Sequence, residues 1–190
     1  VGAKLLTGEE YGGHAFWDTE LFMLPFFAWV FPKTAQNLEN YRYYLLDAAR
    51  ENAHKNGFNG AQYPWESADD GSEQCPDWTI EPDGSCYRCY VAVYEHHVTA
   101  AVAYGIYDYV KITGDIDFLY TKGAEILTET ARFWASRCEY NNEQDRYEIN
   151  QVTGPDEWHE PVNNNLYTNY LARWNLKYVL SKNQMLFPVG

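Results

Sequence analysis

A helix-stop signal and a helix-start signal stand back to back at Thr113-Gly114-Asp115, and this junction constrains the fold more than any other feature of the chain. Gly114 suits the left-handed position after a helix spanning about 96–111, and Asp115 suits the N-cap of a helix spanning 116–137. So short a turn leaves the two helices antiparallel and side by side. Leu119, Ile126, Phe133 and Trp134 share one side of the second helix. Three more helices are predicted. The first covers 18–30, bends at Pro25 and is apolar all round over 21–31. The second starts from an N-cap at Thr34, runs through Leu38, Tyr41, Leu45, Ala48 and Ala49, and stops at Gly57. The third runs from Asn165 to about Leu180. Strand alternation is scarce, with residues 147–152 as a short candidate. The pattern predicts an all-α chain of antiparallel helix pairs. Five helices cannot cover one another's apolar faces, and the 21–31 segment needs neighbours on every side. Residues 1–190 are therefore expected to be a fragment of a longer chain, as the absence of Met at Val1 and the trailing segment 185–190 also indicate.

Residues 58–94 break the helical pattern. Pro64, Pro76, Pro82, Gly60, Gly71 and Gly84 interrupt any period, and long loops in compact domains are usually functional. Residues 81–84, Glu-Pro-Asp-Gly, read as a turn. With 27 acids against 14 bases the net charge is −13, which repels phosphate backbones and argues against nucleic-acid binding. No apolar run is long enough to span a membrane. The 7 Trp, 17 Tyr and 9 Phe amount to 17 % of the chain; with the acidity they fit a protein that handles neutral polar ligands. The Cys86-x-x-Cys89 pair lacks a full ligand set, because His96 and His97 are adjacent and cannot both serve one ion. No metal is expected, and the four cysteines read as free thiols of a reducing cytoplasm.

Three segments combine carboxylates with indoles: His14-Ala-Phe-Trp17-Asp18-Thr-Glu20, Tyr63-Pro-Trp65-Glu66-Ser67, and Thr153-Gly-Pro-Asp156-Glu157-Trp158-His159-Glu160 with its Asn-rich tail. An indole face packs on the apolar face of a pyranose while a neighbouring carboxylate accepts hydroxyl hydrogen bonds. Breaking a glycosidic bond also needs one carboxylic acid whose proton is retained at working pH. Glu157 fits that role, with Asp156 and Glu160 as close like charges and Trp158 as a desolvating neighbour. The tandem His96-His97 reads as structural, since only one of the two can face a site. Arg42, Arg50 and Arg132 read as solvated or ion-paired.

These motifs, together with Gly12-Gly-His-Ala-Phe-Trp-Asp-Thr-Glu-Leu-Phe-Met-Leu-Pro25, Gly60-Ala-Gln-Tyr-Pro-Trp-Glu-Ser-Ala68 and Glu125-Ile-Leu-Thr-Glu-Thr-Ala-Arg-Phe-Trp134, resemble glycoside hydrolase family 65, the family of the maltose, trehalose, nigerose and kojibiose phosphorylases. The likeness runs from about Thr7 to Leu180. The Tyr-Pro-Trp-Glu-Ser-Ala and Glu-His-His pieces look more like its kojibiose and trehalose branch. The resemblance implies that residues 1–190 are roughly the first half of a catalytic (α/α)6 barrel. It also implies inverting phosphorolysis of an α-glucosidic disaccharide to β-glucose 1-phosphate and glucose. Inorganic phosphate is then a co-substrate, no cofactor is needed, and a homodimer is open to the full-length protein. By the same likeness Glu157 matches the general acid, with Trp158 where a Tyr is common, and Trp17 and Asp18 match residues holding the reacting glucose. Trp65, Glu66, Trp158 and His159 are expected to bind substrate, and residues 75–84, with Trp78, fall where an acceptor-recognising loop lies. The family's Lys-Gln pair and phosphate-binding His-Ser region have no counterpart within residue 190, and Lys182-Asn-Gln184 does not match the former. Two alternatives stand beside this reading: a hydrolase using water and a second carboxylate, and a sugar-binding module without catalysis. A helical repeat protein is disfavoured, since no period of 30–50 residues recurs.

Overall fold

The computed structural model describes residues 11–80 and 82–186. The expectations for the chain ends at 1–4 and 187–190, and for Glu81 in the predicted turn, lie outside the described residues. In chain order the elements are a π-helical turn Thr19–Met23, α1 Leu24–Val30, α2 Pro32–Tyr44, α3 Leu46–Lys55, β1 Trp78–Ile80, β2 Cys86–Arg88, α4 Val91–Tyr94, α5 His97–Thr113, α6 Ile116–Phe118, a second π-turn Leu119–Gly123, α7 Ala124–Arg137, β3 Glu139–Asn141, β4 Arg146–Glu148 and α8 Leu166–Leu186. The chain is mostly helical, with two antiparallel hairpins, β1–β2 and β3–β4, that helical periodicity does not foresee.

The central element is α5, which packs against α1, α2, α7 and α8. Its sequence is rich in Ala and Val, and most of its side chains are buried. Small residues let other backbones approach it. A Cβ on Gly105 would stand 2.9 Å from Glu20 Cγ and 3.0 Å from Glu39 Oε1, so a side chain there would push the π-turn and α2 away. The helix ends as predicted. Gly114 adopts φ +71 and donates its N–H to Val110, and the Asp115 carboxylate accepts from Phe118 N at 3.0 Å.

Several boundaries depart from the sequence reading. Thr34 lies inside the first turn of α2, whose N-cap is Phe31, because Pro32 already supplies helical φ at the first position. The predicted helix to Gly57 is two helices broken at Leu45. The buried positions Ala35, Glu39, Arg42, Leu46, Ala49 and Ala53 keep spacings of three and four across the break, so the period reads straight through it. The helix predicted over 116–137 contains a π-turn, which brings Gly123 against α5; a Cβ there would stand 2.8 Å from Ile106 Cγ2. The strand predicted over 147–152 shortens to Arg146–Glu148, and Val152 forms a separate bridge with Val162.

The 21–31 segment is not covered on every side by the described residues. Leu24 and Ala28 are buried, but Phe22, Phe26, Phe31 and, at 74 % exposure, Trp29 face outward. No helix among the described residues is long and apolar enough to cross a membrane.

Candidate active site

The three indole–carboxylate segments converge on the first turn of α5. The first segment is held from below by a buried ion pair. Arg42 donates Nε to Glu20 Oε1 at 2.5 Å and Nη2 to both Glu20 Oε2 and the Phe16 carbonyl, at 3.0 and 3.2 Å. That grip fixes the backbone on either side of Trp17 and Asp18, which stay half-buried. The second segment is laced to the first by paired backbone bonds between Ala15 and Ser67, at 2.9 and 3.0 Å, and by His14 Nδ1 lying 2.6 Å from Glu66 Oε1. Tyr63 ties it to the helices, donating N–H to Thr99 Oγ1 and its hydroxyl to the Arg42 carbonyl. Glu73 accepts the N–H groups of Trp65 and Glu66, which turns the loop back on itself.

The third segment reaches the same place through Thr153, whose N–H donates to the Tyr94 carbonyl at 3.0 Å. Gly154 is required there, since a Cβ would stand 2.4 Å from Asn165 Nδ2. Asn165 in turn accepts from Thr168 N at the start of α8. Glu157 then adopts φ +54, a left-handed conformation that a glutamate holds only when its surroundings impose it.

Electrostatics set Glu157 apart from its neighbours. Glu157 is an exposed residue, yet partial desolvation of its carboxyl, then the charge of Asp18, then that of Asp156 push it above the ordinary glutamate range. Asp18 is therefore an electrostatic partner across two segments, a relation invisible in sequence order. Two parts of the sequence reading need correction. Trp158 does not shield the acid: it is 83 % exposed. The charge of Glu160 acts on Glu95 and is not among the charges acting on Glu157. His159 is exposed and lies 2.5 Å from Asp156 Oδ2, which lowers the aspartate's proton affinity.

Trp65 is buried and Trp17 half-buried, and the two indoles meet a common ring, His97, at centroid distances of 5.8 and 5.0 Å. Tyr167, the second residue of α8, joins them at 5.6 Å from His97 and 6.0 Å from Trp17. Trp78 stands apart on β1, exposed at the edge of the first hairpin. A cleft of about 710 Å³ opens beside this cluster, lined by Asp156, His159, Asn163, Asn165, Tyr167 and Tyr170 among others.

Glu95, His97 and Tyr167 stand in the cluster although the sequence reading assigned none of them a site role. Glu95 is 3 % exposed; burial and the charges of Glu157, Glu160, Cys89 and Asp156 push its carboxyl up to about 10. His97 is fully buried, and burial pulls its imidazole down to about 4. Both are neutral at pH 7. His96, also pulled down to about 4, points the other way and accepts Arg137 Nε at 3.1 Å. The tandem pair thus points two ways, His97 into the ring cluster and His96 towards Arg137. The signal available was the apolar helix that follows: its first residue belongs to a buried face.

Cys86 is exposed on β2 while Cys89 turns in to lie 3.8 Å, Sγ to Sγ, from Cys75. Among the described residues no group of three His, Cys, Asp or Glu side chains is disposed to hold a metal ion.

The profile of the glycosyl hydrolase family 65 central catalytic domain matches residues 1–187. The chain is 60 % identical over 177 residues to a kojibiose phosphorylase of Caldanaerobacter subterraneus, covering 93 % of this chain and 23 % of that protein. It is 44 % identical over 173 residues to a kojibiose hydrolase of Flavobacterium johnsoniae, covering 91 % of this chain and 24 % of that protein. A solved structure from the human microbiome, provisionally named a kojibiose phosphorylase, superposes with a TM-score of 0.84 at 35 % identity, over 95 % of this chain and 22 % of its own. The chain spans about a quarter of the length of the curated relatives it matches.

Proposed function

The chain belongs to glycosyl hydrolase family 65, and from that premise we propose that it forms part of a catalytic (α/α)6 barrel whose full-length protein phosphorolyses an α-glucosidic disaccharide of the kojibiose type with inversion. The observation that carries this reading is the pairing of Glu157 with Asp18. A carboxyl on a left-handed backbone, with its proton affinity raised by partial desolvation and by a carboxylate beside Trp17, suits a general acid at a sugar subsite.

In the proposed reaction the glucose at the reacting subsite lies against Trp17, with Asp18 accepting its hydroxyls. Trp65, Glu66, Trp158 and His159 bind the rest of the disaccharide. Glu157 gives its proton to the bridging oxygen as the anomeric C–O bond breaks. A phosphate oxygen forms the new bond to the same carbon from the opposite face, so configuration inverts and the products are β-glucose 1-phosphate and glucose. Phosphate is itself the nucleophile, so no protein base is required on that face. The hairpin β1–β2, with Trp78 on its edge, is our candidate for the element that reads the acceptor sugar and so selects the linkage. The free thiols of Cys75, Cys86, Cys89 and Cys138 support the cytoplasm as its setting.

Hydrolysis is the second reading, favoured by the 44 % identity to a kojibiose hydrolase. One experiment separates the two. The full-length protein is incubated with kojibiose with and without inorganic phosphate, and β-glucose 1-phosphate and free glucose are quantified. Phosphate-dependent formation of the sugar phosphate is expected, and E157Q is expected to lose turnover while still binding disaccharide. Equal glucose release without phosphate would transfer the assignment to the hydrolase; full turnover by E157Q would remove Glu157 from its role.

A further inference from the structure

The side chain of His97 is wholly buried at the start of α5, and three rings lean on its imidazole edge-to-face: Trp17 at 90°, Tyr167 at 87° and Trp65 at 69°. In such packing the plane of the central ring sets the tilt of each ring around it. The imidazole is also the contact that Trp17 and Trp65 share, although the two indoles arrive from separate loops.

His97 buries two ring nitrogens, neither in a hydrogen bond of full geometry, and the backbone of Thr153 is the polar group that favours its proton. The facing polar group is Glu95, whose Oε2 lies 3.8 Å from His97 Nε2 and whose two oxygens are likewise unpartnered. Thr153 Oγ1, on the loop that leads to Glu157, is a further buried polar atom without a partner. The Thr153 N–H bonds the Tyr94 carbonyl, so the donor loop and the His97 turn share one backbone anchor.

We propose that His97, backed by Glu95, is a positioning residue of the sugar platform: it sets the tilt of the Trp17 and Trp65 indoles relative to the loop that carries Glu157. Being buried, it acts through the indoles and does not touch the sugar. The proposal rests on the reading of this site as a disaccharide subsite. It adds a device that holds stacking surface and proton donor in one frame, because the indoles meet His97 at the start of α5 and the donor loop is anchored at Tyr94, the last residue of α4.

The test compares three variants of the full-length protein. H97L and H97N remove the planar ring, one with an apolar and one with a polar replacement, and H97F restores a ring without nitrogens. Melting temperature and Trp fluorescence identify the variants that fold. In folded H97L or H97N, KM for kojibiose is expected to rise about 10-fold or more with a smaller change in kcat, as for a misplaced binding surface. H97F is expected to return KM to within about 3-fold of the parent, since tilt follows ring shape. Unchanged KM in a ringless variant, equal impairment in H97F, or failure of both ringless variants to fold beside a fully active H97F would each overturn the inference. Calorimetry with kojibiose keeps the two readings apart. A parent protein that binds no disaccharide defeats the site assignment, whereas a parent that binds as tightly as folded H97L defeats only the role of His97.

Discussion

Nε2 of His97 and Oε2 of Glu95 lie 3.8 Å apart, each on a side chain with no exposed surface. The pair is charge-neutral at pH 7, because burial lifts the carboxyl to about 10 and lowers the imidazole to about 4. Two neutral groups avoid the desolvation cost that an ion pair would carry at that depth.

The linkage follows with a definite sign. Glu95 keeps its proton in the folded protein and loses it when unfolded above the ordinary glutamate range, so folding takes up a proton. This group therefore makes stability fall as pH rises from that range towards about 10. E95Q keeps the volume and removes the proton uptake. Urea unfolding of the full-length protein at several pH values is expected to show a gain for E95Q that grows towards alkaline pH. A gain that does not vary with pH would contradict the assignment.

At the acid end the two histidines act the other way. His96 and His97 remain neutral when folded and take up protons when unfolded, so stability falls as pH drops from the ordinary imidazole value towards about 4. Replacing His96 by Gln is expected to shallow that decline in thermal melts recorded across the same window.

In the proposed reaction Glu157 sets the alkaline limb of activity. Asp156 contributes a like charge from an exposed position, so D156N is expected to move the limb of kcat/KM to lower pH. The displacement should shrink at high ionic strength, because an exposed charge is screened. Profiles measured at two salt concentrations check both statements, and a limb that stays put at low salt would argue against this electrostatic coupling.

Arg42 is the counter-ion that lets Glu20 be buried beneath Trp17 and Asp18. R42M leaves that carboxylate unpaired and is expected to destabilise the fold by about 3–5 kcal/mol. The double variant E20Q/R42M removes the stranded charge and should recover a substantial part of the loss. Denaturant unfolding of both variants would reveal whether the pair or the packing dominates.

Gly60 and Gly84 offer a controlled contrast. Both have positive φ, +75 and +84, but a Cβ on Gly60 would stand 2.2 Å from the Glu129 carbonyl oxygen while one on Gly84 would meet nothing within 4 Å. G84A is expected to lose about 1–2 kcal/mol from backbone conformation alone. G60A must also displace α7 and is expected to lose more than about 3 kcal/mol. Similar losses for both would mean that the close approach of this loop to α7 contributes little.

Local chemistry was enough to read much of this protein from its residues. The Gly114–Asp115 junction was legible because a left-handed stop and a carboxylate cap depend on neighbours a few positions away. The composition of the three indole–carboxylate segments was legible for the same reason, and it carried the family resemblance. Tertiary structure alone decided what depends on distance through space. It turned His97 inward and His96 towards Arg137, left Trp158 in solvent, and made Asp18, rather than Glu160, the charge that joins Asp156 in acting on Glu157. It also broke the helix at Leu45 without disturbing the hydrophobic period. Burial and Coulomb interaction sum over neighbours from every part of the chain, whereas a cap or a turn is settled within a few residues of itself.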